Sequence, residues 1–546
     1  MNKRNLLFFV FSIIIGTILA QDNRQVKNVI LMIPDGTSLA SVSSARWYQW
    51  YNNPDKPSLN IDPYLCGTVL TYSSNAPIGD SAPTTSCYMT GVPSRAGWVA
   101  TYPVADQLND IIPMNPMKAY QPLMTVLEAA KLTQDKATGL VFTCEFPHAT
   151  PADCSSHSYD RGKYEWIAPQ MVHNDLNVVI GGGAGLLDEK SKNYLLGQGY
   201  GVFQNDIANF HNYSGNNMWC LFADRDMAYD LDRDPEKEPS LAEMTSKAIE
   251  KLSANENGFF LMVEGSKIDW AAHSNDPIAI ITDMLAFDQA CGVAFDFAKN
   301  NGETVVVVVP DHGNSGISIG SNHCKGYGKL TKDELFKNVS RYKITANGLI
   351  GRLHNTAAAD IKSVFKEYTG IELTEEDLNN ILLCEDYSKS ELSNEERMKG
   401  TKLNGVVSKI LNSNTCFGFT TTGHTGEEVF LAVYDPTPNR LMGHVTNIRL
   451  NQYLFESMGL KTPLTELTDT YFAKHPAVFE GMKYTIKQDN DQTPILEVKN
   501  KKNTLQLRPN TNIVLFNGKE IKLNSLVIYV DQNNTFYLPR SLRNYL

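Results

Sequence analysis

The sequence is short of positive charge. Among its 546 residues, 49 Lys and Arg stand against 60 Asp and Glu, a formal net charge of −11. Proteins that neutralise nucleic-acid phosphates carry the opposite balance, so no nucleic-acid binding is expected. Past residue 20 there is no apolar run near the roughly 20 residues that a membrane-crossing helix needs, so the mature chain is expected to have no transmembrane segment. The nine cysteines form no CxxC pair, which disfavours a structural zinc knuckle. An odd count leaves at least one thiol free or paired between chains, and Cys144 and Cys154 lie close enough in sequence to be a candidate pair. Low-complexity and collagen-like repeats are lacking too. The hydrophobic share of 42% and the aromatic share of 10% supply a large core, which excludes a mostly disordered chain.

What is present begins at the N-terminus. Lys3 and Arg4 precede an apolar stretch from Leu6 to Leu19 and then small Ala20, the order of a secretory signal peptide over residues 1–20. Export, to the periplasm or out of the cell, is expected and makes disulfides permissible.

Several short runs are continuously apolar and β-branched: Val29–Ile33, Gly139–Thr143, Val178–Ile180, Phe259–Val263 and Val305–Val309. Segments of helical period, such as Leu123–Leu132 and Ile278–Lys299, lie between them. Continuous rather than alternating apolar strands indicate burial on both faces, which predicts an α/β fold with a doubly wound, mostly parallel sheet flanked by helices. In such sheets ligands bind beyond the carboxyl ends of the strands. Residues 325–415, rich in Lys, Glu and Asn with helical patches, read as a helical insertion into a main domain spanning 21–475. Residues 476–546 carry six short strand-like runs, with Asn517-Gly518 as a type I′ hairpin signal. They read as a small all-β accessory domain with a binding or docking role.

The chemistry gathers where the buried strands end. Asp35 follows the first, Glu264 the fourth, and Asp311-His312 the fifth, while His148 and Thr150 lie just past the second. Asp269 and His273, spaced i,i+4, share a helix face. Several carboxylates at one sheet edge need cations, and mixed oxygen and imidazole sets suit zinc, with magnesium on an all-oxygen set. In Gly79-Asp80-Ser81-Ala82-Pro83 the residue types mark a helix start, which places the Ser81 hydroxyl where backbone N–H groups favour an anion. Arg161 adds a planar guanidinium able to hold two phosphate oxygens. Singly, each signal is ordinary: Pro-Asp-Gly makes turns, and a flanked Arg is commonly a solvated one. Gly181–Gly185 fits GxGxxG in no register and reads as a strand-ending turn.

The ordered set is another matter. Asp35, Asp80-Ser81-Ala82, His148-x-Thr150-Pro151, Arg161, Glu264 with Asp269 and His273, Asp311-His312 and His424-Thr425-Gly426 resemble the motifs of alkaline phosphatases, in the same order, across roughly residues 27–435. The resemblance implies hydrolysis of small phosphomonoesters through a phosphoserine on Ser81, with Asp80 orienting the substrate-binding Arg161. It implies two zinc ions, one on Asp269, His273 and His424 and the other on Asp35, Asp311, His312 and the Ser81 oxygen. A magnesium would sit on Asp35, Thr150 and Glu264, and the insertion would lie near the entrance to the site. Two positions depart from the best-known bacterial pattern of Asp and Lys: this chain has His148 and Trp270, so the third metal's identity stays open and His148 is not assigned as a ligand. A homodimer is compatible with the resemblance. The alternative activity is that of a phosphodiesterase or another hydrolase of the same superfamily.

Overall fold

The computed structural model describes residues 26–324, 326–388, 397 and 399–546. The leader expected at 1–20 lies outside them. All five apolar runs form strands of one ten-stranded sheet. Across it the order is Gly443–Thr446, Leu65–Leu70, Val429–Tyr434, Thr304–Val308, Asn28–Ile33, Phe259–Glu264, Ala137–Glu145, Val178–Gly182, Met218–Phe222 and Gly201–Gln204. Only Val429–Tyr434 runs antiparallel to its neighbours. The continuous apolar runs follow from the layering. Val29, Leu31 and Ile33 feed one core, whereas Ile30 and Met32 feed the core on the opposite face. Val305 and Val307 divide from Val306 and Val308 in the same way, so every position of the runs Val29–Ile33 and Val305–Val308 is apolar. Helices Leu241–Leu252 and Pro277–Asn301 cover one face, and Ser81–Thr90, Val126–Gln134 and Asn447–Ser457 the other.

Pro277–Asn301 is, among the described residues, the one helix long and apolar enough to cross a membrane. It is a core helix, with 72% of its most apolar window buried. The helix expected from Leu123 starts at Val126, because Thr125 and Glu128 form a reciprocal capping box that sets the first turn there.

After His312 the chain rises in a narrow stem. Gly313–Asn314 pairs with His424–Thr425, and Ser318–Ile319 pairs with Phe417–Gly418. A disulfide between Cys324 and Cys416, with Cα atoms 5.6 Å apart, closes the stem. The helices Ala346–Leu353, Ile361–Thr369, Glu375–Leu382 and Leu403–Ser413 spring from above it. Their apolar cluster, with Leu349, Phe365, Ile381 and Val407, runs on into Ala271, Ala272 and Ile278–Ile281 of the main body.

The candidate pair Cys144 and Cys154 is not formed: both thiols are free and buried. They sit on different elements, the end of a strand and a helix, where Cys144 Sγ faces Glu264 and Cys154 Sγ faces the Thr150 carbonyl. The observed disulfide spans 92 residues, so by loop entropy its removal in Cys324→Ser is expected to cost on the order of 2–4 kcal/mol. Thermal melts of wild type and variant check this through a lower midpoint for the variant.

The C-terminal strands form a seven-stranded antiparallel sheet, opened by Ala473–Lys474 at one edge and Lys483–Gln488 at the other. Asn517 (φ 51°) and Gly518 (φ 77°) turn its tight hairpin, as the sequence signal requires. Val498, Leu505, Leu507, Val514 and Phe536 fill a core of its own. Leu526, Ile528, Val530 and Tyr537 belong instead to the core of the large sheet. Polar contacts complete the docking: Gln170 donates to Asn510 at 3.1 Å, and Lys522 pairs with Asp175 at 2.8 Å.

Candidate functional site

Four adjacent parallel strands, Thr304–Val308, Asn28–Ile33, Phe259–Glu264 and Ala137–Glu145, bring their carboxyl ends to one edge of the sheet. Asp311-His312, Asp35, Glu264 and Thr150 are therefore neighbours although scattered in sequence. The helix Lys267–His273 adds Asp269 and His273, and the stem adds His424. Gly36 (φ 61°) makes the meeting close: a Cβ there would lie 2.3 Å from Asp269 Oδ1. Its N–H donates to Asp311 Oδ1 at 3.0 Å.

Ser81 is the first residue of helix Ser81–Thr90, with Asp80 as N-cap. Its Oγ stands 3.5 Å from both Asp35 carboxylate oxygens and 3.4 Å from His312 Nε2. Burial raises the Asp35 carboxyl well above its usual range, reinforced by Asp311, Asp269 and Glu264. Burial and then Asp311 push Glu264 up to about 8. Asp269 goes the other way: burial opposes its ionisation, but the bond to His273 and the charges of His312, His273 and His424 hold it low.

The three imidazoles face the carboxylates with Nε2. His273, His312 and His424 each direct Nδ1 at a backbone carbonyl, of Thr422 (2.6 Å), Gly313 (3.1 Å) and Gly79 (2.9 Å). A carbonyl only accepts, so Nδ1 carries a proton, and each ring when neutral offers Nε2 as a bare donor of electrons. Those Nε2 atoms converge: His273 and His424 are 3.1 Å apart, and Asp269 oxygens lie 3.4 and 3.7 Å from them. His312 Nε2 lies 3.4 Å from Asp311 and 3.6 Å from Asp35. Opposed lone pairs and carboxylates repel, and a cation between them removes the conflict.

Ligand atoms of Asp269, His312 and His424 lie within 4.8 Å of one another, as do those of Asp35, Asp311 and His312. A third set joins Cys144, His148 and Glu264. Beside it, Thr150 Oγ1 and Glu264 Oε1 are buried without hydrogen-bond partners, as is Asp311 Oδ2. Buried polar atoms left without partners at one place fit the donor set of an ion.

Arg161 closes the other side. Its Nη1 donates to Asp80 Oδ1 at 2.6 Å and its Nη2 to His148 Nε2 at 3.0 Å. Asp80 also accepts from the Gly97 N–H at 2.9 Å. Burial opposes the Asp80 charge, yet Arg161 and this N–H keep its carboxyl below the ordinary range. Burial and then the Arg161 charge take His148 down to about 3, so its ring is neutral and accepts from Arg161. All eleven expected site residues thus gather at one end of the sheet. The sequence reading offered Cys144 for a disulfide and not for the site, although it lies at the carboxyl end of a buried strand where the acidic residues collect. Asn314 was missed as well, and it donates to Asp269 Oδ1 at 2.7 Å. An Asn after His-Gly carries no pattern of its own.

Comparison with known proteins gives the family. The family model for alkaline phosphatase matches residues 26–199 and 198–460. The chain belongs to the alkaline phosphatase family. Alkaline phosphatase 4 of Bacillus subtilis is 32% identical over 458 residues, covering 80% of this chain and 89% of its own. The crystal structure of the cold-active alkaline phosphatase of the psychrophile Shewanella sp. superposes with a TM-score of 0.67 at 25% identity, over 79% of this chain and 99% of that one. Thermus thermophilus alkaline phosphatase shares the fold, with a TM-score of 0.68 at 22% identity over 82% and 95% of the two chains. The family match ends at residue 460, so the whole C-terminal sheet lies beyond it.

Proposed function

We propose that this chain is a zinc- and magnesium-dependent alkaline phosphatase that hydrolyses phosphate monoesters to an alcohol and inorganic phosphate through a phosphoserine on Ser81. One observation carries the reading: a hydroxyl at a helix N-terminus faces converging Nε2 lone pairs and carboxylates, with a guanidinium across from them. Asp269, His273 and His424 would hold one zinc, and Asp35, Asp311 and His312, with Ser81, the other. Asp35, Thr150 and Glu264 would hold magnesium, with Cys144 and His148 at hand in the same set. When bound, such ions neutralise the charge on the attacking and leaving oxygens and lower the pKa of an oxygen they touch.

The chain's own groups do the rest. Arg161, held by Asp80 and His148, offers its remaining N–H donors to two phosphoryl oxygens, and the N-terminus of helix Ser81–Thr90 favours an anion beside Ser81. Ser81 Oγ loses its proton and bonds to phosphorus as the bond to the alcohol oxygen breaks, and the alcohol takes up a proton. Water then attacks the phosphoserine from the side the alcohol left, which restores Ser81 and frees phosphate. Deprotonation of a serine hydroxyl favours an alkaline optimum.

We also read residues 21–475 as the catalytic domain, 325–415 as an insertion that shapes entry to the site, and 476–546 as the accessory domain. Export is supported by the leader pattern of residues 1–20 and by the Cys324–Cys416 disulfide, which persists in oxidising compartments. The purified protein should cleave p-nitrophenyl phosphate faster than bis-p-nitrophenyl phosphate. The reverse order would mark it as a diesterase and end the monoesterase reading.

A further inference from the structure

The Arg161 loop is gripped from two directions. On the catalytic side, Val99 and Ser158 exchange backbone hydrogen bonds at 2.7 and 2.9 Å, and the Arg161 N–H donates to the Gly97 carbonyl at 2.7 Å. On the other side stands the C-terminal sheet. Asp531 begins the short turn between strands Lys519–Val530 and Thr535–Leu538, and its two oxygens take one partner from each flank of Arg161. Tyr159 OH donates to Asp531 Oδ1 at 2.6 Å, and Lys163 Nζ lies 3.8 Å from Asp531 Oδ2.

Tyr159 is not a free-standing ring. Its centroid lies 5.7 to 6.0 Å from those of Trp98, Tyr120 and Trp166, mostly edge-on. Lys163 in turn lies 3.6 Å from the Trp166 ring centroid. The residue two before Arg161 and the residue two after it are therefore tied to one carboxylate, which stands beyond the matched family region ending at residue 460.

We propose that Asp531 is a positioning residue for phosphate binding: it holds the Tyr159–Lys163 loop so that Arg161, already paired with Asp80, presents its guanidinium to the phosphoryl oxygens. This rests on the reading that Arg161 binds phosphate. The physical argument is one of mobility. A five-residue surface loop fixed at both ends by one acceptor samples fewer orientations than one fixed only by its backbone, and a guanidinium bound at two points is sensitive to shifts below an ångström. Because Asp531 is partly exposed, with 43% of its side chain accessible, the effect is moderate.

The test uses the metal-loaded, full-length enzyme and its variants Asp531→Ala, Asp531→Asn, Tyr159→Phe, Asp531→Ala with Tyr159→Phe, Arg161→Ala, and Arg161→Ala with Asp531→Ala. Inhibition by inorganic phosphate, KM and kcat on p-nitrophenyl phosphate, metal content and melting temperature are read for each. Asp531→Ala and Tyr159→Phe should each raise the phosphate inhibition constant and KM roughly five-fold, with kcat within about two-fold and metal content unchanged. The Asp531→Ala and Tyr159→Phe pair should do no more than either single change, and Asp531→Asn, which keeps an acceptor for Tyr159, should fall nearer wild type. In the Arg161→Ala background Asp531→Ala should have no further effect. A melting temperature that drops while the inhibition constant stays at wild type would overturn the positioning role. So would an equal rise with or without Arg161. If Arg161→Ala itself left phosphate inhibition unchanged, the phosphate-binding reading would fall first and take this one with it.

Discussion

Ser81→Ala is expected to lower kcat on aryl phosphate monoesters by on the order of 10⁴-fold while fold and metal content stay at wild type. The change removes one oxygen from a side chain that is 2% exposed, and that oxygen's recorded partners, Asp35 and His312, are site residues rather than packing contacts. Helix Ser81–Thr90 keeps its start, because its N-cap is Asp80 and Thr84 Oγ1 still donates to the Asp80 carbonyl at 2.7 Å. Other hydroxyls nearby cannot substitute, since Thr84 is spent on that bond and Ser86 donates to Asp153 at 2.5 Å. What survives is the pull of the electrostatic environment on a bound ester, without a nucleophile. Steady-state kinetics alongside metal analysis of the same sample decide the matter. A variant that kept a tenth of wild-type turnover would remove Ser81 from the reaction.

Chelation has an effect of similar size and a definite pH sense. Exhaustive treatment with a chelator should abolish turnover, and zinc with magnesium should restore it. Stripping should be more complete near about pH 6.5 than near about pH 9, because protons compete with metal for the same atoms. The bond from Asp269 lifts His273 to about 8, and burial lifts Glu264 to about 8, so both proposed ligands hold protons below that pH and release them above it.

Metal-free protein should show the opposite slope in stability. A buried Glu264 whose folded pKa is about 8 stabilises fully below its ordinary value of 4.5, and that contribution is lost as pH rises through about 8. Melting temperature should therefore fall with rising pH without metal and rise with metal present. Full activity after chelation, or the same slope in both samples, would contradict the metal assignment.

Much of the site was readable because its residues follow sheet strands. The run Val305–Val309 before Asp311-His312, and the strand Phe259–Glu264 before its terminal carboxylate, carry both layers' apolar demand in consecutive residues. A long buried strand of that kind leaves its polar chemistry at the end. Asp35 and Glu264 stood out for that reason. The outer strands were harder to read: Leu65–Leu70 is largely half-exposed, and its mixed pattern gives no strong period.

The cysteines show the limit most plainly. Cys144 and Cys154 are ten positions apart, yet one ends a strand and the other lies on a helix, whereas Cys324 and Cys416 meet across 92 residues because two short strand pairings carry them together. Local spacing says little about thiols whose meeting depends on a stem closed from outside the segment between them.

The amino-acid sequence alone determined the layered α/β sheet, its edge of carboxylates and imidazoles, the serine at a helix start and the all-β tail, because each of these is written in short-range residue patterns. Tertiary structure alone decided which nitrogen of each imidazole faces the carboxylates, which two thiols join, how Cys144 and His148 come to share a site with Glu264, and that Asp531 reaches the loop of Arg161. Those depend on contacts between residues far apart in the chain, where distance and orientation, not residue type, set the chemistry.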